Sequence, residues 1–177
     1  KEILAEIERA GGAPHGPEGQ VYPGTCRNLS EDERRMRIER GDPHSLRLDV
    51  EKAIERAGEL VWNEIDAGEQ TASPEKFGDF VIARKDIGTS YHLAVTIDDA
   101  AQGVTRVTRG KDLFEATHLH RLLQALLDLP VPRWHHHGLI EDEAGKRLAK
   151  RDESQSLASL RAAGVTPEEV RARLGMA

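Results

Sequence analysis

Apolar residues recur at intervals of three and four positions in several parts of the chain, which is the spacing of one face of an α-helix. The clearest case is residues 117–129, where five leucines fall on one side of a helix that Pro130 ends. Ser30 and Glu33 have the spacing of a capping box, which predicts that a helix begins at Ser30. Residues 51–60 favour a helix by propensity alone. The periodic pattern predicts helices at residues 1–10, 30–40, 117–129, 154–163 and 167–174.

Other segments alternate apolar and polar residues or form short apolar runs, which is typical of β-strands. These segments are residues 45–50, 80–84, 90–97, 104–108 and 134–140. The run SYHLAVTI predicts a well-buried strand, and Asp98 or Asp99 is then expected to cap a short helical turn. Residues 66–75 are predicted to be a polar loop. Because strands alternate with helices in the second half of the chain, the sequence predicts an α/β region with a mainly parallel sheet.

The composition is that of a soluble, folded protein. The chain has 177 residues, of which 38% are hydrophobic and 32% charged, and its net charge is −6. These values exclude wholesale disorder and a general polyanion-binding protein. No apolar run approaches the roughly 20 residues of a membrane span. Cys26 is the only cysteine, which excludes an internal disulfide framework and favours a reducing compartment, so we expect a cytoplasmic protein.

A basic segment, GKRLAKRDES, occupies residues 145–154 directly after a predicted strand. It carries four cations: Lys146, Arg147, Lys150 and Arg151. A mobile lysine in such a loop can stabilise the charge that builds on transferring phosphates. The alternative interpretation is a solvated surface turn, because runs of charge usually face water.

Tyr91 and Arg109 both lie in or at the end of predicted strands. Ligands of α/β sheets bind beyond the carboxyl ends of the strands. An arginine at such a position can hold a carboxylate through two parallel hydrogen bonds, and a tyrosine hydroxyl can bond an amino or carboxyl group. A core tyrosine and a surface arginine are an equally good interpretation of the same two residues.

Two further groups of residues have the chemistry of metal ligands. Tyr22 and Cys26 flank a Pro-Gly-Thr turn that resembles a zinc knuckle, although a lone buried cysteine in a turn is the simpler interpretation. In the run of three histidines, strand alternation places His135 and His137 on one face and His136 on the other, so a phosphate or ribose contact is more plausible than a shared metal. The adjacent aspartates at positions 98 and 99 are better explained as helix caps than as a magnesium pair.

Taken together, these motifs resemble the class I glutamyl-type aminoacyl-tRNA synthetases. Residues 90–110, SYHLAVTIDDAAQGVTRVTRG, carry the most specific part of the likeness, and RLAKR at 147–151 is similar to the second signature of the family, the KMSKS loop. The offset between Tyr91 and Arg109 matches the glutamate-binding tyrosine and arginine of the family. YPGTCR at residues 22–27 resembles the latter half of its zinc-binding element.

The resemblance implies the C-terminal part of a class I synthetase Rossmann-like catalytic domain, α/β with a parallel sheet and a small zinc-element insertion. The implied divisions are an insertion at residues 1–75, the catalytic part at 76–153 with the basic loop, and a helical tail at 154–177. The first signature of the family and an upstream Cys-x-Cys pair are absent from the sequence. Both precede this region in the family, so we expect an N-terminal truncation and an isolated chain that is inactive.

The function that the resemblance implies is ATP-dependent activation of glutamate. By resemblance, Tyr91 and Arg109 bind glutamate, Lys150 contacts ATP in a reaction that uses Mg²⁺, and Tyr22 with Cys26 contributes to a zinc site. RGKDLF, from Arg109 on, and the short stretch after the basic loop resemble family members that lack an anticodon-binding domain. Those members transfer glutamate to queuosine in the anticodon loop of tRNA(Asp), and we expect a monomer that does the same. The alternatives are part of a synthetase that charges tRNA(Glu), and a synthetase-like binding domain without catalysis.

Overall fold

The computed structural model describes residues 15–17, 19–140 and 156–175. The chain divides into two compact units. The larger unit contains the described residues up to Arg109 together with Leu113–His136. The smaller unit contains Gly110–Asp112 and the described residues from His137 onward.

The described helices include four in the larger unit and two near the C-terminus. They are α1 (Glu31–Glu39), α2 (Val50–Ala57), α3 (Tyr91–Ala101), α4 (Ala116–Leu126), α5 (Leu157–Ala162) and α6 (Pro167–Arg173). Short 3₁₀ turns occupy Pro74–Phe77 and Lys111–Leu113. The strands are β1 (His15–Gly16), β2 (Gly19–Gln20), β3 (Leu46–Arg47), β4 (Val61–Glu64), β5 (Gly68–Thr71), β6 (Val81–Ala83), β7 (Arg106–Gly110) and β8 (Arg133–His137).

The largest sheet has the strand order β5-β4-β8-β7. β4 pairs antiparallel with β5 and parallel with β8, where Glu64 lies opposite Trp134. Two small antiparallel pairs, β1 with β2 and β3 with β6, complete the described sheets. The fold is therefore α/β with a mixed sheet, and its parallel pair brings Glu64 next to the histidine run of β8.

Helix α4 forms the centre of the hydrophobic core. Its residues Leu119 and Leu122 are fully buried, as the leucine spacing predicts. They pack with apolar side chains of α2 and of the Pro74–Phe77 turn, including Val50 and Phe77. Each buried leucine contributes about 1.5–3 kcal/mol relative to an exposed one. This packing fixes α4 and so fixes the polar residues that α4 carries.

Several predicted elements are confirmed with adjusted ends. Helix α1 begins after Ser30, whose hydroxyl oxygen accepts a hydrogen bond from the Glu33 N–H at 3.2 Å. The Glu33 carboxylate pairs with Arg37 at 2.9 Å, so only the Ser30 half of the expected capping box is formed by the described contacts. Helices α5 and α6 confirm the helices predicted at residues 154–163 and 167–174, and α6 has a complete capping box at Thr166 and Glu169.

The strand expected at residues 90–97 is wrong, because this segment is helix α3. Ser90 caps the helix by accepting a hydrogen bond from the Leu93 N–H at 3.4 Å, and only Thr96 is buried along it. Asp98 and Asp99 lie inside the helix and do not cap a new one. An apolar run of eight residues cannot separate strand from helix by its periodicity, and here the cap at Ser90 decides.

Two further boundaries differ from expectation. The polar segment at residues 66–75 contains strand β5, because its main chain pairs with β4 in an exposed hairpin that needs no apolar face. In the segment at residues 45–50 the strand is limited to Leu46–Arg47. Asp49 ends it by capping α2, since its carboxylate accepts a hydrogen bond from the Lys52 N–H at 3.3 Å.

Some expectations fall on residues that the structure does not describe. These are the helix at residues 1–10 and the basic loop at 145–154, including Lys150. The predicted division at residue 75 stays a prediction. Strands β4 and β8, which precede and follow that position, belong to one sheet. None of the described helices is long and apolar enough to cross a membrane.

Candidate functional site

Arg109 lies on strand β7, and among the described residues three side chains are within hydrogen-bonding distance of its guanidinium. Its Nε donates to Nε2 of His136 at 3.0 Å, and its Nη2 donates to the hydroxyl of Thr117 at 2.7 Å. Its Nη1 lies 3.2 Å from Nδ1 of His120. Thr117 is 0% exposed and His120 is 3% exposed, and only 2% of the His136 side chain is exposed. Three buried partners fix both the position and the plane of the guanidinium.

His136 is in turn fixed by the carboxylate of Glu64. The backbone N–H of His136 donates to Glu64 Oε1 at 2.9 Å, and His136 Nδ1 lies 2.6 Å from Glu64 Oε2. An ionised carboxylate only accepts, so Nδ1 carries the ring proton and Nε2 accepts from Arg109. Burial lowers the pKa of His136, and the nearby Arg109 charge lowers it further, while the hydrogen bond to Glu64 acts in the opposite direction. The neutral ring therefore links Glu64 to Arg109.

His120 connects Arg109 to helix α3. Because His120 Nδ1 accepts from Arg109, its Nε2 carries the proton and donates to His92 Nδ1 at 3.1 Å. Burial is the main cause that lowers the pKa of His120 to about 2, and the charges of Arg109, His92 and His136 add to the effect. His120 is therefore neutral at every pH near 7 and serves as an acceptor for Arg109.

Tyr91 lies at the other end of this network, as the first residue of α3. Its ring meets His120 edge to face at a centroid distance of 5.8 Å and His92 at 5.4 Å. About half of Tyr91 is exposed. The two residues that the sequence singled out, Tyr91 and Arg109, thus both contact His120.

Aromatic rings surround the buried part of the network. The rings of Phe114 and Trp62 lie edge-on to His136, with centroids 5.1 and 6.0 Å away. Trp134 packs against Trp62 at 5.5 Å and is almost fully buried. Such apolar walls lower the local dielectric constant and strengthen the hydrogen bonds among the charged groups.

A cleft of about 410 Å³ opens beside Tyr91. Its lining combines aromatic and cationic side chains with one acid, among them Tyr22, Arg47, Asp79, Arg84, Tyr91 and His92. Pockets of this size hold small organic ligands. Tyr91 and His92 line this cleft, whereas Arg109 is not among the residues that line it.

Tyr22 and Cys26 lie close together in an exposed turn at the edge of this cleft. The Cys26 N–H donates to the Tyr22 hydroxyl at 2.7 Å, and Cys26 itself is exposed, which corrects the expectation of a buried cysteine. Burial is the main cause that raises the pKa of Tyr22. The Arg47 guanidinium stacks over the Tyr22 ring at 4.4 Å from its centroid.

Zinc takes four ligands in structural sites, and Tyr22 with Cys26 supplies at most two of them. Within the described part of the chain, no three His, Cys, Asp or Glu side chains form a group that could hold a metal ion. The described residues therefore do not form a complete zinc or magnesium site.

The histidine run follows the predicted alternation. His136 points into the network, whereas His135 faces outward and pairs with Asp66 at 3.1 Å. The expected phosphate or ribose contact is not the role that the geometry gives His136, since its two ring nitrogens bond Glu64 and Arg109.

Sequence reasoning missed four members of the network: Glu64, His92, Thr117 and His120. Glu64 and His136 are 72 positions apart, so no local spacing in the sequence predicts their contact. Thr117 and His120 precede Arg121 on the leucine-rich helix, and their polar character within an apolar face was the one available signal.

The chain matches a family model described as tRNA synthetases class I (E and Q), catalytic domain, over residues 2–176. A relative from Rhodobacter capsulatus named Glutamyl-Q tRNA(Asp) synthetase is 51% identical over 170 residues, which cover 93% of this chain and 60% of the relative. A relative of the same name from Symbiobacterium thermophilum is 43% identical over 168 residues, which cover 94% of this chain and 50% of the relative.

A solved glutamate-tRNA synthetase from Elizabethkingia anophelis superposes with a TM-score of 0.63 at 27% identity. The match covers 85% of this chain and 30% of that protein. The chain thus spans between half and 60% of the two relatives and less of the solved structure. On the strength of the match over residues 2–176, the chain belongs to the class I tRNA synthetases of the glutamate and glutamine type, with the sequence of their catalytic domain.

Proposed function

We propose that the protein is an ATP-dependent ligase that activates glutamate and transfers the glutamyl group to queuosine in the anticodon loop of tRNA(Asp). The observation that carries the proposal is the guanidinium of Arg109, fixed by three buried acceptors and linked through His120 to the half-exposed Tyr91. A rigid guanidinium is the group that best recognises a planar carboxylate, and glutamate has two of these.

In the activation step, an α-carboxylate oxygen of glutamate forms a bond to the α-phosphorus of ATP. The bond between the α-phosphorus and the bridging oxygen breaks, and pyrophosphate leaves. In the transfer step, a nucleophile of the acceptor RNA attacks the carbonyl carbon, AMP leaves, and the proton of the nucleophile passes to solvent. Arg109 and Tyr91 hold glutamate in place through both steps, so their contribution is to positioning.

The phosphate-binding side of the reaction is assigned by resemblance alone. Lys150, which lies outside the described residues, is proposed to neutralise charge on the ATP phosphates. Bound Mg²⁺ supplies further charge neutralisation on the same phosphates. Tyr22 and Cys26 are proposed as half of a zinc element, and the division at residues 1–75, 76–153 and 154–177 is proposed on the same ground.

One fact supports tRNA(Asp) as the acceptor, and a second supports an RNA acceptor in general. The relatives from Rhodobacter capsulatus and Symbiobacterium thermophilum are named for that substrate. The cleft beside Tyr91, lined by aromatic rings and guanidinium groups, is suited to a stacked base with its ribose and phosphate.

A second candidate is a synthetase that charges tRNA(Glu). The superposition on the glutamate-tRNA synthetase of Elizabethkingia anophelis favours it, because the shared fold covers 85% of the chain. Both candidates use the same glutamate site, so Arg109 does not discriminate between them.

The test is transfer of labelled glutamate by the protein at its natural full length. The acceptors are tRNA(Glu), and tRNA(Asp) with and without queuosine, each with ATP and each in a control without ATP. Label on queuosine-containing tRNA(Asp) alone is the expected result. Label on tRNA(Glu) would establish the second candidate, and no ATP-dependent label on any of the three would overturn both.

A further inference from the structure

We propose that Glu64 is a positioning residue for glutamate binding, acting on Arg109 through the imidazole of His136. The inference rests on the proposed function, because it assigns to Arg109 the substrate carboxylate. Glu64 does not contact the substrate in this account. It determines where the guanidinium stands and which edge of His136 receives it.

The first step is the attachment of His136. Glu64 is 4% exposed, and both of its carboxylate oxygens are used on one residue, Oε1 by the His136 backbone N–H and Oε2 by the ring Nδ1. The parallel pairing of β4 with β8 sets this register, since Glu64 lies opposite Trp134. The bond from the backbone N–H holds the carboxylate beside His136, and the bond from Nδ1 then fixes the rotation of the ring.

The second step is the tautomer. A carboxylate offers no proton, so it holds the ring with its hydrogen on Nδ1 and its lone pair on Nε2. That lone pair is the acceptor for Arg109 Nε at 3.0 Å, and the Thr117 hydroxyl lies 3.3 Å from the same nitrogen. The opposite tautomer would set two N–H donors against each other across the His136–Arg109 contact.

The third step is charge. The ring of His136 lies between Glu64 and Arg109, and burial keeps the ring neutral by lowering its pKa. The negative charge of Glu64 therefore acts on the partly buried guanidinium at a distance, through the ring. A direct Glu64–Arg109 ion pair would instead place a protein carboxylate on the guanidinium edge that a substrate carboxylate needs.

The chain contains a matched control pair in the next positions of the same strands and hairpin. Asp66 and His135 also form a carboxylate–imidazole contact, at 3.1 Å. Their side chains are 65% and 36% exposed, and the described hydrogen bonds of Arg109 go to His136, His120 and Thr117 instead. An effect that arises from loss of any carboxylate near β8 would appear in both pairs, whereas loss of positioning would appear only in the buried one.

The experiment compares the wild-type protein at full length with E64Q and D66N. The carboxamide of E64Q keeps an oxygen for the His136 backbone N–H and presents its NH₂ group to Nδ1, so it drives the ring proton to Nε2. We expect the KM for glutamate to rise on the order of tenfold to a hundredfold in E64Q, as for loss of a hydrogen bond to a charged group, with kcat changed less. D66N keeps wild-type constants.

The ¹⁵N shifts of the histidine side chains give a second readout, which overall destabilisation does not mimic. Wild type and D66N are expected to carry the His136 proton on Nδ1, and E64Q on Nε2. Thermal unfolding shows whether E64Q is folded. If it is not, the comparison is made between H136Q and H136N. The carbonyl oxygen of H136Q reaches close to the place of Nε2 and still accepts from Arg109, whereas H136N is too short, so H136N has the higher KM.

The outcomes separate the two claims. A wild-type protein that does not use glutamate overturns the proposed function, and the inference with it. A wild-type protein that uses glutamate while E64Q keeps the wild-type KM, or while D66N loses as much as E64Q, overturns the inference alone. A raised KM in E64Q with an unchanged His136 tautomer also overturns it, because the tautomer is the proposed cause.

Discussion

Two regions of the larger unit each use one buried carboxylate to hold a distant arginine, and they do so in opposite ways. Glu64 reaches Arg109 through His136, and the side chains of Glu64 and His136 are 5% and 2% exposed. Asp79 grips Arg27 directly, with Arg27 Nε and Nη2 donating to its two oxygens at 2.9 and 2.6 Å. The side chain of Asp79 is 6% exposed, but that of Arg27 is 44% exposed.

The difference teaches what each arrangement is suited to do. In the Asp79 region the guanidinium is saturated by acids of the protein, since Asp49 and Glu51 also lie within 3.6 and 3.9 Å of Arg27. That contact fastens the turn containing Tyr22 and Cys26 to the start of α2. In the Glu64 region a neutral ring stands between acid and base. The described hydrogen bonds of the guanidinium go to two imidazoles and a hydroxyl, and Asp99 interacts with its charge.

The largest effect that separates the two regions is expected at Arg109. R109K keeps the positive charge but cannot match three acceptors and a carboxylate with a planar fork. We expect kcat/KM for glutamate-dependent exchange of pyrophosphate into ATP to fall at least about a hundredfold, because two charge-assisted hydrogen bonds together contribute about 3–6 kcal/mol. R106K, an exposed substitution on the same strand, is the control and is expected to leave the rate unchanged. Equal rates in R109K and R106K would contradict the proposed contact between Arg109 and glutamate.

In the Asp79 region the expected loss is in stability alone. D79A removes the acceptor of the buried Val50 N–H, which Asp79 Oδ1 accepts at 3.1 Å, and releases Arg27. An unsatisfied buried N–H costs about 1–3 kcal/mol of unfolding free energy, measured by chemical denaturation. D86A, which breaks the exposed Arg84–Asp86 pair, is expected to cost nothing measurable. A large rise in the KM for glutamate in D79A would contradict the separation of the two regions.

The buried imidazoles predict a pH dependence of stability. The pKa of His120 is lowered to about 2 by burial and by Arg109, His92 and His136, so the folded state holds His120 neutral. The unfolded chain takes up a proton below about pH 6.5, so stability is fully present above that pH and is lost as pH falls from there toward about 2. For His120, each pH unit below that value lowers the free energy of unfolding by up to about 1.4 kcal/mol.

The measurement is chemical denaturation at about pH 7.5 and about pH 5.5. H120Q removes the titrating group and is expected to flatten the slope, with His118 and His136 leaving a residual dependence because burial lowers their pKa values too. H44Q, at an exposed position, is the control. A slope in H120Q as steep as in wild type would mean that His120 is not held neutral by the fold.

The smallest effect is expected at Tyr22. Y22F removes the acceptor of the Cys26 N–H but keeps the ring beneath the Arg47 guanidinium. Because the bond is exposed, we expect a loss below about 1 kcal/mol in thermal unfolding and no change in the KM for glutamate. A loss as large as that of D79A would show that Tyr22 and not Arg27 fastens the turn.

The sequence predicted what depends on local rules. The leucine spacing of α4, the cap at Ser30 and the alternation at His136 are all set by a residue and its near neighbours, and the structure confirms them. Helix α3 was missed because its apolar run is short and carries one buried residue, Thr96, so the Ser90 cap outweighed the strand-like composition.

The site could be predicted only in part, for a physical reason. Tyr91 and Arg109 follow from a resemblance in one continuous stretch, and the structure brings both to His120. Glu64 could not be predicted, since its meeting with His136 depends on the parallel pairing of β4 and β8 across 72 positions. Polar contacts between distant strands are a product of the fold and leave no local pattern in the chain.

The most direct test of the central claim is a crystal structure of the protein with a non-hydrolysable analogue of glutamyl-adenylate. The account predicts a carboxylate oxygen of the glutamyl group within about 3 Å of a guanidinium nitrogen of Arg109, with the bonds to His136 and His120 retained. A glutamyl carboxylate bound away from Arg109, or an Arg109 side chain that has left the His136 and His120 nitrogens, would contradict it.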